Sequence, residues 1–308
     1  MKDFYTDKSF FLRFVSVDEA FKLIEHLEHL NLSEIDDIYL EKYIEDKIKI
    51  IPYTNGVIKA GTELFRARLN INEKPFTEVK DIWVPPIDLI KEYGRANKPN
   101  EQIFYCSSNF RLASFEVIQD IKNSLSPKNE VAFLTIGVWK TLEDINLADI
   151  IHSPVLHKTR GDIRANFQKH QEILYKQHLT PEIATASSLI SQFFSEQFTK
   201  YKTNSHHDYK ISAYYTRLLK TMNSKIAPEY IKKKFDGVNY PSVAMKYKGD
   251  NQAVFLESAK QKLELINAIQ VVCSNLDFES GDFTAGIMHE AKSIIGGKIV
   301  WKEEIYRP

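Results

Sequence analysis

Apolar positions along the chain change their period several times, and each change marks a different kind of element. Near the start, Val17, Phe21, Ile24, Leu27 and Leu30 recur at helical spacing. They follow Ser16 and Glu19, which have the separation of a capping box. Ser33 and Asp36 offer a second helix start, with Ile35, Ile38 and Tyr39 as its apolar side. From about Val57 the pattern turns to short extended runs. Gly61 to Arg68 reads as a turn and then a strand, and Ile103 to Cys106 as a second strand. Val131 to Val138, nearly all apolar and β-branched or aromatic, reads as a buried strand. Pro85-Pro86 marks an irregular stretch between them, because proline lacks a backbone donor and restricts its predecessor. Ser107-Ser108-Asn109 supplies turn or cap chemistry for a helix through Ala113, Val117 and Ile121.

Between about Ser153 and Lys234 the chain reads as mostly helical. Leu189, Phe193, Gln197 and Tyr201 lie on one i, i+4 line, with Ile190, Phe194 and Phe198 beside it, giving a wide apolar face. The strand signal returns at Val238 to Val243 and at Ala253 to Leu256, and Gly296-Gly297 reads as a hairpin-like turn. No internal repeat or low-complexity segment occurs. Strands flanking a helical insertion predict an α+β domain and not a repeating βαβ series. The expected organisation is a helical N-terminal extension over 1–56, a main domain over 57–272 with a helical insertion over about 153–234, and a C-terminal extension over 273–308.

Composition narrows the function classes. Lys plus Arg and Asp plus Glu are 41 each in the 308 residues. That balance argues against a dedicated nucleic-acid binder, which needs a basic surface, yet it permits a local basic pocket for a small anion. Two distant cysteines, Cys106 and Cys273, make no disulfide framework and favour a reducing compartment. The start of the chain has no apolar h-region, and no apolar run approaches the roughly 18 residues of a membrane helix. The expectation is a cytoplasmic protein with no membrane partner.

Familiar catalytic signatures are absent: no P-loop, no G-x-G-x-x-G, no H-E-x-x-H and no paired C-x-x-C. His206-His207 is read as a solvated loop in preference to a metal site, so no metal is expected. His289-Glu290 stops short of H-E-x-x-H, because residue 293 is Ser. Lys232-Lys233-Lys234 reads as a solvated helix end.

The informative stretches are Leu64-Phe65-Arg66-Ala67-Arg68, Gly94-Arg95-Ala96-Asn97, Phe104-Tyr105-Cys106-Ser107 and Ala113-Ser114-Phe115-Glu116-Val117. Downstream come Asp236-Gly237-Val238-Asn239-Tyr240-Pro241-Ser242 and Gly249-Asp250-Asn251-Gln252-Ala253-Val254-Phe255. Each is short, but their order and composition resemble the RES-domain family, whose naming arginine, glutamate and serine would here be Arg66, Glu116 and Ser242. The resemblance spans about Val57 to Val138 and about Phe235 to Val271. It leaves the N-terminal helices, the helical insertion and the tail after about Cys273 unexplained.

The resemblance implies an ADP-ribosyltransferase-like split β-sheet core and a toxin that degrades NAD by phosphorolysis or hydrolysis. It also admits a protein ADP-ribosyltransferase, or a catalytically inactive binding module of the same fold. NAD would be substrate, with no separate cofactor, and inorganic phosphate a co-substrate. A separately encoded antitoxin is the expected protein partner, and a homo-oligomer is compatible with the resemblance.

The residue types suit that chemistry. Cleaving the nicotinamide–ribose bond builds positive charge on the ribose while nicotinamide leaves neutral. No acid is needed for the leaving group, and one carboxylate near the ribose suffices, in contrast to the two of an ordinary glycosidase. Glu116 is the candidate for that carboxylate; otherwise it is a solvated helix glutamate. Arg66 offers a planar fork for phosphate oxygens, with Arg68 two residues along on the same strand face as a weaker candidate. Arg95 would bind the second phosphate or an incoming inorganic phosphate, and Arg68 and Arg95 as spare anion donors favour phosphorolysis over hydrolysis. Each of these arginines has a surface role as its alternative. Tyr105 can stack on nicotinamide or be a half-buried core residue. Ser242 can hold a ribose hydroxyl, orient Glu116, or simply close a turn, and Asn251 can shape the same strand end.

Overall fold

A computed structural model of the chain describes residues 15–48, 54–120, 131–150, 173, 180–200, 203, 205–225, 234–247 and 249–302. In chain order the elements are α1 (Val17–Glu28), α2 (Asp37–Lys47), β1 (Thr54–Ile58), β2 (Glu63–Leu69), α3 (Val79–Ile82), β3 (Ile103–Ser107), α4 (Phe110–Asp120), β4 (Ala132–Thr141) and β5 (Ile145–Asp149). They continue with α5 (Pro181–Phe198), α6 (Lys210–Lys225), β6 (Gly237–Pro241), β7 (Asp250–Phe255), α7 (Leu256–Lys262), β8 (Leu263–Asp277), β9 (Asp282–Ile295) and β10 (Lys298–Trp301). Mixed α and β structure is therefore observed, and among the described residues all ten strands lie in one sheet. The chain divides into two units: residues 1–56, 92–99 and 148–234, and residues 57–91, 100–147 and 235–308.

The first unit is helical. The N-terminal segment and the insertion, expected as separate additions, belong to it together, along with the loop 92–99. Ser16 and Glu19 form the predicted capping box at the start of α1. The buried side of α1 is Ala20, Leu23 and Leu27, however, and Phe21 is 56% exposed. Two apolar stripes compete on this helix, which packs against α5, and the buried one contains the small Ala20. A similar correction applies to α2. Asp36 caps it by accepting from the Tyr39 N–H at 2.9 Å, but Leu40 and Ile44 are buried while Ile38 and Tyr39 are exposed. Helix α5 buries Ile190, Phe193, Phe194, Gln197 and Phe198 as its stripe predicts; Tyr201 lies outside the described residues. Phe194 stacks on Tyr215 of α6, with ring centroids 4.1 Å apart.

A buried cation ties this unit together. Lys210, at the start of α6, pairs with Asp37 at 3.0 Å and donates to the Ile35 carbonyl at 2.9 Å. The Tyr93 hydroxyl donates to the same Asp37 carboxylate. His206-His207 is not a solvated loop. It forms a short 3-10 turn capped by Ser205, its rings are half-buried, and His206 Nδ1 accepts from the Tyr93 N–H at 3.3 Å. The Lys232-Lys233-Lys234 reading falls largely outside the described residues.

The sheet, of which β2 to β4 and β6 to β10 lie wholly in the second unit, has the order β1-β5-β6-β7-β3-β2-β4-β8-β9-β10. From β6 to β10 every neighbouring pair is antiparallel. Strand β2 alternates between two cores, as a period of two requires. Leu64 joins Ile82, Phe104, Cys106, Trp139 and Val254 on one face; Phe65 and Ala67 join Phe115, Leu134 and Val271 on the other. The expected boundary at residue 273 falls inside β8, a strand hydrogen-bonded to β4 as far as Cys273, and β9 and β10 extend the same sheet. Gly296 and Gly297, at φ 57° and 77°, make the predicted turn between β9 and β10. Strand β6 ends at Pro241 and not Val243, because the chain turns there and the Tyr247 N–H closes back on the Ser242 carbonyl. Leu256, expected in a strand, starts α7.

Two residues of the Asp236-Gly237 pair fix β6. A Cβ on Gly237 would lie 2.2 Å from the Ala253 carbonyl oxygen, so only glycine allows β6 to sit this close to β7. The buried Asp236 carboxylate accepts from the Asn146 N–H, the Ser258 hydroxyl and the Lys262 ammonium, each at 2.8 Å.

Candidate functional site

The carboxyl ends of β3 and β6 and the amino end of β7 come to one end of the sheet because these strands are antiparallel neighbours. Helix α4 starts three residues after β3. Asn109 caps it, its side chain accepting from the Leu112 N–H at 2.9 Å. The buried line of α4 is Leu112, Phe115 and Ile118, with Ala113 and Ser114, whereas Val117 is half-buried; Ile121 lies outside the described residues. This is a rotation from the expected stripe. It leaves Glu116 half-buried on the flank of the packed face.

Two segments converge on that carboxylate, and a third bonds to one of them. The Ser242 hydroxyl donates to Glu116 Oε1 at 2.5 Å, and Asn251 Nδ2 donates to the same oxygen at 2.6 Å. Asn251 Oδ1 accepts from the Ser107 hydroxyl at 2.6 Å. Among the described residues, Oε2 of Glu116 receives no hydrogen bond. Ser242 is itself anchored. Its Oγ accepts from the Met245 N–H at 3.1 Å, its N–H donates to the Gly249 carbonyl, and its carbonyl accepts from the Tyr247 N–H. Lys246, Tyr247 and Gly249 all have positive φ in this turn, which folds the chain back from β6 to β7. A charged acceptor with two neutral donors on one oxygen holds its orientation firmly, since such bonds are each stronger than a neutral pair.

Tyr105 lies two residues before Ser107 on β3 and therefore shares its face; opposite it on β7 stands the small Ala253. Tyr105 is half-buried, and Phe104, on the other face, is fully buried core.

Arg66 sits where β2 and β3 meet. The two strands share a single register pair, Phe65 with Ser107. One residue further on, the guanidinium of Arg66 takes the place of a ladder bond, donating from Nη1 to the Tyr105 carbonyl at 2.7 Å. Its Cζ lies 5.3 Å from the centre of the Phe104 ring. The residue is 8% exposed, its Nε has no partner, and no carboxylate pairs with it among the described residues. Burial pushes its pKa down to about 10, and the neighbouring Arg68 charge adds to the shift. Among the described residues Arg66 is thus a buried cation without a counter-charge, an arrangement that costs several kcal/mol in a protein interior (about 3–5 when a partner is lacking).

Arg68 is half-buried; burial lowers its pKa and Asp81 opposes the shift. Arg95 belongs to the helical unit, and its fork is committed there. It donates to the Phe198 and Lys200 carbonyls at 2.6 and 3.2 Å, at the carboxyl end of α5, and lies over the Tyr209 ring. Those bonds occupy the donors that the sequence reading assigned to a phosphate. Conversely, sequence reasoning treated Ser107 as turn chemistry. Its position two residues after Tyr105 on a strand face was the available signal.

Among the described residues no cluster of three His, Cys, Asp or Glu side chains can hold a metal ion, and no helix is long and apolar enough to cross a membrane. No family model matches the chain, and no curated protein matches it in sequence.

Proposed function

We propose that the chain cleaves the nicotinamide–ribose bond of NAD, with Glu116 as the carboxylate that meets the charge developing on the ribose. The observation that carries this reading is the convergence of Ser242 and Asn251 on one oxygen of Glu116. A single carboxylate with one oxygen held and the other without a hydrogen bond among the described residues suits a reaction whose leaving group departs neutral. The C1–N bond breaks, its electron pair stays with nicotinamide, and an acceptor bonds to C1. With phosphate the product is ADP-ribose 1-phosphate; with water it is ADP-ribose and a proton.

Two further features support the reading. The lone register pair between β2 and β3 is compatible with the split sheet of ADP-ribosyltransferase-like folds. Arg66, buried and without a carboxylate partner among the described residues, would find its counter-charge in a dianionic pyrophosphate. Tyr105 would offer its ring to nicotinamide. The case for phosphate as acceptor rests on Arg68 alone, now that the Arg95 donors are accounted for. In a cell such turnover would deplete NAD, arrest growth and call for an antitoxin.

The test is NAD consumption by purified protein, with and without inorganic phosphate. Native protein should consume NAD, and Glu116→Gln should abolish the loss while leaving the fold intact. Arg66→Lys should also be damaging, because the fork is lost while the charge remains. No NAD loss by the native chain, or near-native turnover by Glu116→Gln, would reject the mechanism. A rate indifferent to phosphate would reject phosphorolysis alone.

A further inference from the structure

We propose that Ser107 is a positioning residue for Glu116, acting through the Asn251 amide; this rests on the NAD-cleavage reading above. Ser107, Asn251 and Ser242 are 3%, 5% and 0% exposed, so water does not substitute readily for any bond among them. The amide of Asn251 has a donor end and an acceptor end. A carboxylate only accepts, so Glu116 requires Nδ2 to face it. Oδ1 is then left inside the protein and needs a donor, which the Ser107 hydroxyl supplies. The two bonds together fix the plane of the amide. Without the hydroxyl, a buried carbonyl oxygen lacks a partner, and the amide gains by turning toward another donor and drawing Nδ2 away from Glu116.

The placement of Ser107 makes it an effective anchor. It stands directly opposite Asn251 in the β3–β7 register and opposite Phe65 in the only β2–β3 pair. The Arg66 guanidinium braces the same strand two residues earlier, at the Tyr105 carbonyl. The side chain that orients Asn251 thus stands on backbone held from both sides. Glu116 is fixed on one side by Ser242 directly and on the other by a two-step relay that starts at Ser107.

Three variants and two readouts test this. Ser107→Ala removes the hydroxyl, Ser107→Cys keeps the shape with a weak donor, and Ser107→Thr keeps the hydroxyl on a strand-compatible side chain. The alanine and cysteine variants should lose roughly tenfold in kcat, with KM for NAD little changed, because Glu116 acts on the transition state. The threonine variant should recover kcat to within about twofold. The second readout needs no activity: the side-chain NH2 resonances of Asn251, assigned by their loss in Asn251→Asp. They should move in Ser107→Ala, Ser107→Cys and Glu116→Gln and stay near native in Ser107→Thr. Native kcat in both the alanine and cysteine variants, or unmoved Asn251 resonances, overturns the relay. If the native chain consumes no NAD but the resonances respond as stated, the relay stands and the NAD reading fails. If Glu116→Gln abolishes turnover while the Ser107 variants remain native, the relay fails and the NAD reading stands.

Discussion

Arg66→Met should abolish NAD loss while destabilising the sheet-bearing unit by no more than about 2 kcal/mol, the upper end of the balance of the terms that follow. A guanidinium driven down to about 10 by burial has lost roughly 3 kcal/mol of preference for its charged form, at 1.36 kcal/mol per pH unit. Against that stand one charge-assisted bond to the Tyr105 carbonyl, worth about 1.5–3 kcal/mol, and the Phe104 ring at 5.3 Å, worth about 0.5–2. The terms nearly cancel. Methionine loses the bond but removes the buried charge, and its thioether packs against Phe104 and Cys106, regaining about 0.3–1.5 kcal/mol at the ring. Urea unfolding followed by tryptophan fluorescence isolates this unit, because Trp83, Trp139 and Trp301 all lie in it. A buried side chain that can be replaced at little cost to the fold is retained for something other than the fold. A loss above about 3 kcal/mol, the size expected when a buried structural charge is broken, would refute this reasoning and make Arg66 a strut between β2 and β3.

Other residues should behave oppositely. Asp236→Ala leaves Lys262, Ser258 and the Asn146 N–H without their acceptor and should cost about 3–5 kcal/mol in the same fluorescence-detected unfolding. Gly237→Ala forces a methyl to within 2.2 Å of a backbone oxygen and should destabilise by at least about 2 kcal/mol, read as a lowered urea midpoint. In the helical unit, burial alone would raise the pKa of Asp37, but the bonds from Tyr93 and Lys210 outweigh it and hold it below the usual carboxylate range. Its contribution is therefore complete above the ordinary aspartate pKa and is lost as pH falls through the lower, folded value. Helical circular dichroism of Asp37→Asn should show a weaker loss of stability on acidification than the native chain.

Features set by neighbours a few residues apart were legible in the sequence. Ser16 and Glu19 cap α1 because a capping box is closed within three residues, and Gly296-Gly297 turns because only glycine takes positive φ there cheaply. The strand runs of β2, β3 and β4, the last a continuous apolar one, and the wide stripe of α5 were equally readable, as was the flank position of Glu116. What stayed hidden was which of two apolar stripes a helix buries, as at Phe21 and Ile38, since that depends on what packs against it.

The site divides the same way. The sequence by itself determined the residue types and order of Arg66, Tyr105, Glu116, Ser242 and Asn251, and the strand alternation that gives Arg66 and Tyr105 their faces. Only the tertiary structure decided that Ser242 and Asn251, 126 and 135 residues from Glu116, bond to the same oxygen of it, and that Arg95 spends its donors on the end of α5. The reason is physical. Alternation and capping are local and repeat at a known spacing, whereas a hydrogen bond across β3, β6 and β7 depends on strand order, and strand order is set by the burial of whole faces.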